Sequence, residues 1–263
     1  MIQSMIRCFA LSFLVLTLFG CDASPKAESN SSSVSGPVSE SLHVRALTIL
    51  RQGTRSDQPL VRANSIEMME PETEPLRDAI RRGLVDHNEG VRFVSAMALG
   101  KRRLCGSSRL VRPLLDDPSA SVRAAAIYAL VVCGDEDVDQ TPLAAMVLSQ
   151  NRVTRANAAL VLSEIGNPTA TVLLREAMKR PLSGDDAEVI RTSELGIAEA
   201  LVRLGDRRQL EMIRAAFFAP ASQGELTALA SQMAGRLNDR TLVPAMGALA
   251  MARRCVGTRE TEP

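Results

Sequence analysis

Tryptophan is absent from this 263-residue chain, tyrosine occurs once as Tyr128, and aromatic residues reach only 3%. The 46% hydrophobic content therefore rests on Ala, Leu, Val and Met. Such side chains let helices approach closely and suit helix-on-helix packing more than a β-sandwich. Histidine is as scarce, with only His43 and His87. No zinc set can be assembled from spaced Cys and His, and neither a Gly-Lys-Ser phosphate loop nor a Gly-x-Ser-x-Gly elbow is present. No metal, no organic cofactor and no catalytic residue are expected. Charge of one sign is lacking too: 31 Lys plus Arg stand against 30 Asp plus Glu. A dedicated nucleic-acid binder carries a basic excess, so no nucleic-acid partner is expected.

Long apolar runs are missing except at the start. Cys8 to Phe19 is an uncharged, mostly apolar run of 12 residues behind Arg7. A membrane-spanning helix needs about 20 residues, whereas this length suits the apolar region of a signal peptide. The run closes on Leu18-Phe19-Gly20-Cys21, which resembles the bacterial lipobox. The resemblance implies a lipoprotein signal peptide over 1–20, cleavage before Cys21 and a diacylglyceryl group on the Cys21 thiol. It also implies a chain lipid-anchored to a membrane outside the cytoplasm, in the bacterial cell envelope. Residues 21–40 are Ser-rich, hold two prolines and show no apolar periodicity. They cannot bury enough surface to offset chain entropy and are expected to form a disordered tether. Residues 255–263 are expected to be a disordered tail.

Between them, residues 41–254 repeat one phrase. Its copies begin at Val61, Val91, Val122, Thr154, Ser193 and Leu226, at spacings of 30, 31, 32, 39 and 33. A period in this range signals a solenoid. Numbering the first residue zero, positions 0, 3 or 4, 7, 8 and 11 are apolar, the period of a helix. Asp117-Pro118 and Asp57 with Pro59 read as helix starts. Cys133-Gly134-Asp135, Ile165-Gly166-Asn167 and Leu204-Gly205-Asp206 read as helix ends with Gly in the left-handed cap. A shorter amphipathic segment separates the phrases, and Pro113 is expected to kink or shorten one of these.

The Asp-Pro turn, the Val-Arg pair, the Ala-Leu pair and the closing Gly-Asp resemble the HEAT-repeat family, in the short subtype also found in phycobilisome lyases. The resemblance covers about residues 42 to 253. It implies an all-α, right-handed α-solenoid of about six HEAT-type helix pairs plus a terminal helix near Leu242 to Arg253. It implies a non-catalytic protein-protein interaction module or scaffold. The alternative is a HEAT-type enzyme or enzyme subunit resembling bilin lyases, but those act in the cytoplasm, which the export signal opposes.

The resemblance also assigns roles. Arg62, Arg92, Arg123 and Arg155 recur at one helix position and are expected to form a structural ladder, each pairing with an acidic or amide side chain of a neighbouring turn. The second helix of each HEAT pair lines the concave surface, so positions 2, 6 and 10 are expected to face that groove. There Phe93, Met97, Tyr128, Val132 and Leu160 form an apolar strip, a candidate seat for a partner protein or peptide. A one-position error in helical phase places the same residues in the core instead. Arg77, Arg81, Arg82, Lys101, Arg102, Arg103, Arg109 and Arg112 form a basic cluster in sequence, either an anion-binding patch or a solvated face.

Cys105, Cys133 and Cys255 remain after Cys21, so one is left over by any internal pairing. Export makes a disulfide permissible. Cys105 and Cys133 lie near the ends of phrase helices in adjacent units, which stack about 10 Å apart, whereas a bridge needs Cα atoms within about 7 Å. Cys105 lies just past its helix, so the chain can bend to reach. The alternative is that Cys133 is a small hydrophobe in the core.

Overall fold

A computed structural model describes residues 42–69, 74–183, 186–220 and 223–248. The leader, tether and tail expected over 1–20, 21–40 and 255–263 lie outside the described residues, and so does Cys21. The described residues contain helices and no strand. They fall into two compact units, the first ending at Ala98 and the second beginning at Leu99.

In the first unit, α1 (Leu42–Gly53) and α2 (Pro59–Met68) form one helix pair. Helices α3 (Glu74–Gly83) and α4 (Glu89–Lys101) form the next, the unit boundary falling inside α4. Each phrase is the second helix of its pair, as its periodicity requires. Pro59 occupies the first turn of α2, with Gln58 rather than Asp57 at the cap position. Ile66, Met69, Leu76, Ile80 and Leu84 are fully buried here.

Two glycines set how closely these helices approach. A Cβ on Gly53 would lie 2.0 Å from Ser65 Oγ, and one on Gly83 would lie 2.0 Å from Ser95 Oγ and 3.0 Å from Ile66 Cδ1. Ser65 and Ser95 both stand at position 4 of their phrases, so the same contact recurs in consecutive pairs. Ser95 Oγ is buried and donates to Val91 O at 2.7 Å, so it has no free space to retreat into. Gly83→Ala should therefore cost about 1–3 kcal/mol, read as a fall in thermal midpoint. Ser95→Ala in the same chain should recover part of it. An unchanged midpoint for Gly83→Ala would show that the helices are not this close.

In the second unit, a pair of short 3-10 segments, Cys105–Leu110 and Arg112–Asp116, stands where the first helix of the third pair is expected. Pro113 lies in the first turn of the latter segment. Without an N–H and with its ring against the preceding turn, it prevents one continuous helix. The third pair is completed by α5 (Ala120–Val132), and the fourth is α6 (Pro142–Val147) with α7 (Arg152–Ile165). The fifth is α8 (Ala170–Lys179) with α9 (Ala187–Arg203), and the sixth α10 (Leu210–Phe217) with α11 (Gly224–Arg236). A 3-10 turn at Arg240–Leu242 leads into helical residues 243–248, the described part of the terminal helix. This succession of helix pairs is the organisation of an α-solenoid.

Apart from Asp57, the helix ends follow the sequence signals with one exception. Gly134, Gly166 and Gly205 take the left-handed conformation at φ 82°, 78° and 102°. Arg103 and Asn238 adopt it at φ 50° and 54° without the freedom of glycine. After four of these residues the next N–H turns back to a carbonyl of the last helical turn. Leu104, Asp135, Asp206 and Asp239 donate to Leu99, Leu130, Leu201 and Ala234 at 3.0, 3.0, 2.9 and 2.8 Å, satisfying otherwise orphaned carbonyls. The Asp of the Gly-Asp signal has a second use. Asp135, Asp206 and Asp239 receive Arg112, Arg175 and Arg214 from the first segment of the same pair. The Arg214 guanidinium, opposed by burial, holds the Asp239 carboxyl down at about 2. The exception is Asp117-Pro118. Ser119 holds the cap position of α5, and Asp117 instead folds the preceding turn by accepting from Ser119 N–H at 2.9 Å.

Cys105 and Cys133 are joined by a disulfide, with Cα atoms 5.2 Å apart. The left-handed turn at Arg103 ends α4 and starts the 3-10 segment at Cys105. That bend closes the gap that two stacked helices would leave.

Candidate interaction face

The interior reaches further around the phrase helices than periodicity indicates. A helix in the middle of a stack has neighbours on more than one side. In α5, Ser121, Val122 and the whole run from Ala124 to Leu130 are buried. Position 2 faces inward: Ala63, Phe93, Ala124 and Leu195 are all buried. Position 6 is also closed at Met97, Tyr128 and Glu199. Phe93, Met97 and Tyr128 are thus core residues and not exposed groove anchors, which corrects that expectation. The phase assumed for the open side was too generous by one row. Val132 and Leu160 are half-buried and do not complete an apolar strip alone.

Tyr128 lies against α4 through Gly100. A Cβ at Gly100 would come within 2.6 Å of Tyr128 Cε1 and 3.0 Å of Ala129 Cα, so only glycine leaves room for the ring. Burial, and then the charge of Glu164, push the phenol up to about 12 against the partial relief of Arg103 and Arg203. Tyr128 is the only tyrosine and no tryptophan is present, so absorbance and fluorescence read this site alone. Tyrosinate absorbance should appear near pH 12. Because the folded value lies above the ordinary phenol value of about 10, the associated stability is intact below pH 10 and is lost as pH rises towards 12. Titration of the folded chain at 10 would mean that the ring is exposed.

Position 10 is the open row in the second unit, and apart from Val132 it is charged rather than apolar. Lys101, Arg203 and Arg236 are exposed there. Glu164 accepts from Arg203 Nη1 at 2.8 Å and pairs with Lys101 Nζ at 3.4 Å. Beside this row the buried Glu199 holds Arg236 in a two-pronged pair at 2.7 and 2.8 Å. The sequence signal was available: position 10 reads Lys101, Val132, Glu164, Arg203 and Arg236, four charged residues of both signs around one valine.

The Arg ladder is structural: Arg62 has the acidic partner expected, Asp86, and all four guanidiniums also bind backbone carbonyls. Arg92 Nη1 donates to Asp86 O and His87 O at 2.8 and 3.1 Å, and Arg123 Nη1 to Asp117 O and Pro118 O. Each guanidinium thus ties down the turn that precedes its own helix. Arg62 does the same at Ser56 O and Asp57 O and adds a two-pronged pair with the Asp86 carboxylate at 2.8 and 2.7 Å. Burial pushes the Asp86 carboxyl up, but the hydrogen bonds from Arg62 and the Asn88 N–H and the Arg62 charge together hold it below the usual carboxylate range. Arg155, almost fully buried, donates to Ser149 O at 2.8 Å, Arg180 O at 2.6 Å and Ala177 O at 3.3 Å. Burial lowers its affinity for the proton, with Arg180 adding to the effect.

Half of the basic cluster is paired with carboxylates, Lys101 through Glu164 as above. Arg81 pairs with Asp78 and Glu74, Arg77 with Glu74, and Arg112 with Asp135. Among the described residues no group of His, Cys, Asp or Glu is placed to hold a metal ion. None of the described helices is long and apolar enough to cross a membrane.

No curated protein matches the chain. The family description of HEAT repeats matches residues 47–130 and 107–198. The two matches together cover more than half of the chain, over the same helix pairs and Arg-anchored turns described above. The chain belongs to the HEAT-repeat family.

Proposed function

We propose that this chain is an exported lipoprotein, anchored through Cys21 to a membrane of the bacterial cell envelope, whose HEAT repeats act there as a non-catalytic interaction scaffold. HEAT repeats suggest a protein-interaction module. The observation that carries the export reading is the Cys105–Cys133 disulfide. Such bonds persist in oxidising compartments and are rare in cytosolic proteins, and this one sits behind the lipobox-like Leu18-Phe19-Gly20-Cys21. The charged row of Lys101, Glu164, Arg203 and Arg236, with half-buried Leu160 near it in sequence, suits a polar partner segment of mixed charge better than an apolar helix. Expressed with its leader, the chain should partition into detergent, and Cys21→Ala should move it to the aqueous phase. Equal partition of both forms would overturn the anchoring.

A further inference from the structure

The first helix pair carries an opening that its sister copies lack. Position 0 of the phrase is buried at Val91 and Val122, 1% and 0% exposed, yet Val61 is 37% exposed. Position 7 is buried at Ala98, Ala129, Val161, Ala200 and Met233, yet Met68 is 42% exposed. The other helix of the pair, α1, buries no residue. Leu42 and Ile49, two turns apart and so on one side of the helix, are 81% and 65% exposed. A terminal repeat normally carries a polar outer face for solubility, and this one presents aliphatic side chains.

We propose that this open face of the first pair seats on an anionic phospholipid surface, with Leu42 and Ile49 entering the interfacial layer. The inference rests on the lipid-anchor reading given above, and two observations select the membrane as occupant. The first is charge: α1 holds no acidic residue, and its Arg45 is on the open side, whereas Arg51 and Arg55 line a pocket with Glu74 and Asp78. Arg45 lies between Leu42 and Ile49 in sequence and shares their side of the helix, the combination of apolar and basic groups that binds anionic interfaces. A second copy stacked on this face would bring two such basic helices together. The second is chain length. Leu42 follows Cys21 by 21 residues, so a lipid at Cys21 confines α1 to within at most about 70 Å of the bilayer. That confinement raises the effective concentration of a weak contact.

The test uses the chain from Asp22 to Pro263, which retains every described residue and carries no lipid, so its outcome is independent of whether Cys21 is modified. Flotation with vesicles containing phosphatidylglycerol should recover the protein, and vesicles of phosphatidylcholine alone should not. Leu42→Gln with Ile49→Gln should weaken the anionic binding at least tenfold and leave the thermal midpoint unchanged, since both side chains are exposed. Failure to float with anionic vesicles would overturn the proposal. So would binding indifferent to the double substitution. Concentration-dependent dimerisation abolished by the double substitution, with no vesicle binding, would assign the face to a second copy instead.

Discussion

Replacing both Cys105 and Cys133 by Ser should lower the stability of the folded chain by about 3–4 kcal/mol, the chain-entropy expectation for a loop of this size. The bond spans 28 residues. It ties the 3-10 stretch from Cys105 to Asp116 to the end of α5, and in that stretch only Val111 and Leu114 are buried hydrophobics. The segment Cys105–Leu110 buries no residue of its own, so the loss should be local as well as global. Amide protection should fall first over 105–116. Reductant should reproduce the loss in the native chain and do nothing to the double variant. An unfolding midpoint indifferent to both treatments would remove the bond from the account of stability.

The second large effect is expected at Arg155. Arg155→Met keeps most of the apolar stem and removes the guanidinium, stranding the carbonyls of Ser149, Ala177 and Arg180 in a buried site. Leaving a buried polar group without its partner costs about 1–3 kcal/mol, and three acceptors lose the same donor group together. A loss of about 3–5 kcal/mol, the range for breaking a buried charged contact, is expected in urea unfolding. Arg123→Met should cost clearly less, because Arg123 is less buried and serves two carbonyls of one turn. Equal losses at the two positions would mean that neither burial nor the number of stranded carbonyls sets the strength of the ladder.

The arrangement of helix pairs was legible because each phrase carries its own punctuation. Gly134, Gly166 and Gly205 mark ends that a side chain resists, and Pro113 marks a helix that cannot form. The interaction face was not legible to the same degree. Periodicity reports one buried stripe, which suffices for a helix on a surface, but a helix between neighbours is closed over a wider arc. Phe93, Met97 and Tyr128 were therefore assigned to solvent although each lies in the interior. The glycine that makes room for Tyr128 is Gly100, 28 residues earlier in the chain, and no local pattern links the two. Asp86 is the kind of acidic partner expected for Arg62, but the carbonyl acceptors of Arg62, Arg92, Arg123 and Arg155 were not legible: they belong to the backbone, which every residue shares and no side-chain motif identifies.

The claim that the chain works outside the cytoplasm as a tethered HEAT module has one direct measurement. Intact mass spectrometry of the protein recovered from membranes, run without reductant, reads the mature end, the lipid and the disulfide together. The account predicts a chain beginning at Cys21, heavier than its sequence by a diacylglyceryl group with or without a further acyl chain, and lighter by the two hydrogens lost to the Cys105–Cys133 bond. A mass matching Met1 to Pro263 with all thiols free would contradict it.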